Sequence, residues 1–101
     1  MLDESFADPE DAKLETLARS ALGRSSAAEA AAVRDEMGRT YVASTVDLAS
    51  LRLTALELAV AQAVSSGAIG IEAAVVLTDR DVDDTVVRDL SPDAPVHIVR
   101  P

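Results

Sequence analysis

Apolar residues along the chain change period several times, and each change predicts an element. From Glu10 to Leu22 the set Ala12, Leu14, Leu17, Ala18, Ala21 and Leu22 recurs at helical spacing. That spacing predicts an amphipathic helix, with Pro9 in its first turn and Gly23 as its stop. Ahead of it, Met1 to Pro9 is acidic with few apolar positions and reads as a mobile leader. Ala30–Arg34 and Arg39–Val46 flank the acidic turn Asp35-Glu36-Met37-Gly38, where Gly38 can supply the positive φ of a hairpin, so these two strands should pair antiparallel. From Ser50 to Ser65 the pattern is a helix apolar on nearly every face, interrupted only by Arg52, Glu57 and Gln62. Such a helix is covered on more than one side, either between a sheet and a second helix layer or against another subunit. Ile69 to Leu77 is an almost continuous apolar run, the mark of a central strand covered on both faces. A short helix over Thr85–Leu90 and a last strand over Val96–Val99, after Pro92 and Pro95, complete an alternating α/β order.

Composition narrows what such a fold can serve. With 101 residues the chain is one domain, long enough to bury roughly two-thirds of its unfolded surface. Nine basic residues stand against 18 acidic ones, which disfavours nucleic acid as a partner, because that affinity rests on Lys and Arg neutralising phosphates. One Phe and one Tyr offer almost no stacking platform, and only Arg34, Arg39 and Arg52 could assemble a basic patch through folding. The absence of cysteine removes disulfide and thiol chemistry. No apolar run reaches about 18 residues, so no membrane span is expected. The acidic start lacks an apolar signal core, and a cytoplasmic protein is the expectation.

The block Gly38–Gly67, GRTYVASTVDLASLRLTALELAVAQAVSSG, carries a likeness. Its Ala49-Ser50 pair and its closing Ala63-Val64-Ser65-Ser66-Gly67 are similar to the central segment of the zinc-dependent cytidine deaminases, with one residue deleted between the two. The order helix, strand, strand, helix, strand, helix, strand extends the resemblance from about Leu14 to Val99. It implies a three-layer α/β/α cytidine deaminase-like sandwich around a mixed sheet of about four strands, the first two forming the hairpin. Residues 10–101 would be that single domain and residues 1–9 the leader. In this reading the fold is truncated at the C-terminus, because Pro101 falls about where the family's fifth strand and terminal helix would begin.

Within the resemblance the chemistry is missing. The family's zinc-ligand Cys falls on Thr54 and its general acid/base Glu on Leu56, while the place of its Pro-Cys-x-x-Cys reads RDVDDT from Arg80 to Thr85. A one-residue shift would bring Glu57 to the Glu position but put Ala55, which binds nothing, at the ligand. Bound zinc lowers the pKa of water from about 15.7 to about 7, worth roughly 11–12 kcal/mol at about 1.4 kcal/mol per unit. No lone side chain replaces that. The expectation is therefore a catalytically inactive relative without cofactor, acting as a homodimeric or homotetrameric scaffold or a regulatory binding protein. The alternatives are a nucleoside-binding protein and a residual nucleoside deaminase with Asp47 or Glu57 as acid/base. The family's ribose-holding Asn-x-Glu corresponds to Thr45 and Asp47, which would be the ligand-binding residues; without a ligand, Thr45 is a strand residue and Asp47 a turn or helix-cap acceptor.

Three other features carry weaker chemistry. Asp79, Asp81, Asp83 and Asp84 mimic the start of a calcium loop, but Asp84 stands where the loop needs Gly and Leu90 where it needs a bidentate Glu, so a solvated acidic turn is expected. His97, the single histidine, sits in a predicted strand and reads as a packed or edge residue, and Ser65-Ser66-Gly67 reads as a helix end. Glu57, in an apolar helix, should meet Arg52 or a neighbouring subunit, or face water, since an unpaired buried carboxylate costs several kcal/mol.

Overall fold

In the computed structural model, which describes residues 8–101, Asp8 accepts a hydrogen bond from the Glu10 amide and starts helix α1, Pro9–Arg24. Pro9 takes the first helical position, where its missing N–H costs nothing. The helix passes through Gly23, the expected stop, and ends one residue later with Ser25 as its cap. Residues 1–7 of the expected leader lie outside the described residues, and Pro9 itself belongs to the helix.

Strands β1 (Ala30–Asp35) and β2 (Thr40–Ser44) pair antiparallel with Ala30 opposite Ser44, across a turn in which Gly38 has φ +85°. Two short strands, β3 (Val46–Asp47) and β4 (Arg52–Leu53), form a separate ladder. β3 takes the end of the strand expected over Arg39–Val46, and β4 replaces the first turn of the helix expected from Ser50: helix α2 spans Ala55–Ser65 and begins only where Thr54 and Glu57 close a reciprocal capping box. β5 (Ile71–Leu77), α3 (Thr85–Leu90) and β6 (Val96–Val99) follow. β5 starts two residues later than its apolar run, after the loop that leaves Ile69 exposed.

The sheet order is β2-β1-β5-β6, with β1 antiparallel to β5 and β5 parallel to β6. Alternation along β1 and β5 sorts the core into two layers. Ala30, Ala32, Ala73, Val75 and Leu77 meet Leu14 and Ala18 of α1, while Ala31, Val33, Ala74 and Val76 meet Leu56, Ala59, Val60 and Ala63 of α2. The result is the expected three-layer α/β/α sandwich on a four-stranded mixed sheet, with β1 and β5 central. α2 buries one face only: Glu57, Ala61 and Val64 on its other side are exposed. No helix of the described residues is long and apolar enough to cross a membrane.

Candidate functional site

The entrance to α2 stands beside the carboxyl end of β5, the side of an open α/β sheet on which ligands are usually received. Three contiguous hollows of about 40, 210 and 260 Å³ open there. Glu29, immediately before β1, lines all three, Thr54 lines two, and Thr45, Asp47 and Arg80 line the two larger ones. Pairing of Ala30 with Leu77 places Glu29 beside Thr78, whose hydroxyl donates to Glu29 Oε2 and accepts from the Arg80 amide at 3.0 Å. The Thr45 amide donates to the Glu29 carbonyl at 3.3 Å, fixing the end of β2 to the same corner.

Thr45 and Asp47, the expected ligand residues, are brought together on the walls of this cleft. Asp47 is not a helix cap. It lies opposite Arg52 on the β3–β4 ladder and pairs with it at 3.3 Å, both side chains largely in water. Thr54 also lines the cleft, but its hydroxyl accepts from the Glu57 amide at 3.1 Å while Glu57 Oε1 accepts from the Thr54 amide at 2.9 Å. Glu57 is exposed and does not meet Arg52. Leu56 is 2% exposed and packs in the apolar layer between α2 and the sheet.

A tetrahedral zinc site needs three protein ligands of the thiolate, imidazole or carboxylate type. The donors here do not fit one. At Thr54 and Leu56, where the resemblance would put the ligand and the acid/base, stand a hydroxyl committed to a helix cap and a buried alkyl group, the chain has no cysteine, and no group of three His, Cys, Asp or Glu converges among the described residues. The acidic stretch after β5 is local turn chemistry. Asp83 accepts from the Thr85 hydroxyl and amide, which hold its carboxyl below the usual range, and Asp84 pairs with Arg88 at 3.0 Å.

A second polar cluster lies on the opposite face of the sheet, under α1. Arg34 donates from Nη2 to Asp11 Oδ1 at 2.8 Å and from Nε to Glu72 Oε1 at 2.8 Å, and His97 Nε2 lies 3.0 Å from Asp11 Oδ2. A register shift between Arg34 and Asp35 leaves Glu72 out of the β1–β5 pairing and within reach of the guanidinium. Burial alone would weaken the charge of Arg34, but the bonds to Asp11 and Glu72 outweigh it and the guanidinium holds its proton more firmly than a free arginine. With Arg34 buried, the basic patch of Arg34, Arg39 and Arg52 does not form.

Glu29, Thr78 and Arg80 are the cleft residues that the chain pattern missed. Glu29 and Thr78 sit in no motif, and Arg80 entered only as the start of the RDVDDT stretch that lacks the family's cysteines; the one available signal was position, since Glu29 and Arg80 flank the two longest apolar strands. A family model described as cytidine deaminase-like matches residues 7–101. No curated protein matches the chain.

Proposed function

The chain belongs to the cytidine deaminase-like family, and on that premise we propose that it is a catalytically inactive member that works by binding, as an oligomeric scaffold or regulatory partner. One observation carries this reading: at the positions to which the resemblance assigns the family's ligand and acid/base, the Thr54 hydroxyl caps α2 and Leu56 is sealed in the core. Neither side chain can hold a metal or move a proton. The uncovered side of α2 supports assembly with a second copy. It presents Ala61, Val64 and Ser65 with no charge between Leu58 and Gly70, in a chain whose net charge of −9 sets copies against each other elsewhere. Metal analysis of the purified protein alongside an absorbance assay of cytidine and deoxycytidine deamination tests the proposal. The expected result is neither stoichiometric zinc nor turnover; zinc with turnover overturns it.

A second reading rests on the cleft. A hollow of about 210 Å³ with Thr45 and Asp47 on its wall is large enough for part of a nucleoside, and supports binding without reaction. Replacing both residues by Ala weakens nucleoside binding if this reading holds, and leaves a pure scaffold untouched.

A further inference from the structure

Most polar groups of the cleft are occupied by one another. Asp47 is taken by Arg52, Glu57 by the Thr54 amide, and the Thr45 hydroxyl lies 3.5 Å from the Glu29 carbonyl. Of the four residues that line both larger hollows, Glu29, Thr45, Asp47 and Arg80, two are charged and stand without a charged partner among the described residues, Glu29 and Arg80. Glu29 uses only Oε2, toward Thr78, and the Arg80 guanidinium makes no hydrogen bond or ion pair among the described residues. Both line the two larger hollows, so an acceptor and a donor remain open on one wall.

We propose that Glu29 and Arg80 decide what the cleft takes: a small polar molecule with an N–H donor for the Glu29 carboxylate and a carbonyl or hydroxyl acceptor for Arg80. This rests on the nucleoside-binding reading above and adds its specificity-determining residues. The carboxylate is aimed from both ends. Its backbone is held by Thr45, and its side chain by the Thr78 hydroxyl, which is itself buried and directed by the Arg80 amide. Thr78 is therefore a positioning residue. A carboxylate so held needs no rearrangement to accept a ligand proton donor, and that saves the ordering cost that weakens binding by mobile side chains.

The test is a ¹H–¹⁵N NMR titration of the full chain with cytidine, which presents an amino group and a ring carbonyl. Wild type should show shifts confined to amides around Glu29, Thr45, Thr54 and Arg80. Glu29→Gln keeps an oxygen for Thr78 but removes the charge, and should weaken binding about ten- to a hundredfold, the factor for losing a charge-assisted hydrogen bond. Asp89→Asn, an exposed change on α3, should bind as wild type. Thr78→Val should weaken binding less than Glu29→Gln while leaving the spectrum of the core intact. If Glu29→Gln binds like wild type, the role given to Glu29 falls and the cleft reading stands. If cytidine at millimolar concentration shifts no wild-type amide, both fall.

Discussion

Two polar clusters of this molecule lie on opposite faces of one sheet and are built on opposite terms. Under α1, Asp11, Arg34, Glu72 and His97 join four elements through close contacts, with Asp11 and Arg34 buried, and each of the four side chains bonds Arg34 or Asp11. At the start of α2, Glu29, Thr45, Asp47, Thr54 and Arg80 stand around open hollows, and Glu29 and Arg80 have no charged partner among the described residues. The first cluster looks more like chemistry, with its carboxylate–histidine pair, yet its groups are spent on one another: of its buried side-chain atoms only Arg34 Nη1 lacks a partner among the described residues, and only Glu72 is exposed. Mutual satisfaction in a buried place marks a fastener, and spare capacity beside a cavity marks a place for something else.

Breaking the fastener should give the largest effect. Arg34→Met leaves Asp11, 7% exposed, with His97 as its one remaining side-chain partner among the described residues, and removing one partner of a buried ion pair typically costs about 3–5 kcal/mol. Urea denaturation should register a loss of that order, with α1 amides losing hydrogen-exchange protection first. A change under about 1 kcal/mol would mean that the apolar contacts of Leu14 and Ala18 hold α1 unaided.

Next comes Leu56, the position on which the comparison with a working deaminase turns. If it is a core residue, Leu56→Ala costs about 2–5 kcal/mol, as large-to-small core changes do. Thermal melting checks this directly. An unaffected midpoint would show that the side chain is not enclosed, and would reopen the register that places the family's acid/base on it.

Asp35 sharpens the contrast from within the sheet, because it is a buried carboxylate that is neither in the α1 cluster nor at the cleft. Burial pushes its pKa up, but the Tyr41 hydroxyl at 2.9 Å and the Arg39 and Met37 amides outweigh that and hold it below the ordinary value. A carboxyl depressed in the folded state adds stability that is fully present above its unfolded value of about 3.9 and is lost as pH falls through the folded one. Asp35→Asn should therefore melt lower than wild type at pH 7, with the gap closing below about pH 4. A gap that stays constant with pH would mean that the hydrogen bonds do not depend on the charge.

How much of this the chain announced depends on the range of each interaction. Thr85–Leu90 and Val96–Val99 have the bounds that their punctuation by turns and prolines predicts, and the β1–β2 hairpin follows from Gly38. The start of α2 went wrong because Val46–Asp47 and Arg52–Leu53 are too short to show any period, although Thr54-x-x-Glu57 is a legible capping signature. The α1 cluster was illegible: Asp11 and His97 stand 86 residues apart, and only the sheet order brings them together. Glu29 was hidden likewise, since its partner Thr78 lies 49 residues on.

The two smallest effects belong to the cleft side and separate positions that hold the fold from positions that merely adjoin the site. Thr54→Ala removes a helix cap and should cost about 1 kcal/mol. Arg52→Ala removes a partner of Asp47 in a pair whose side chains are 77% and 76% exposed, and such pairs contribute about 0.2–1 kcal/mol at most. The Arg52 change should thus leave the urea midpoint nearly where it was and free the Asp47 carboxylate. If Asp47 is a ligand acceptor, Arg52→Ala should alter cytidine affinity with almost no change in stability. A stability loss as large as that of Thr54→Ala would instead make the β3–β4 ladder part of the frame, and Asp47 would belong with the fasteners after all.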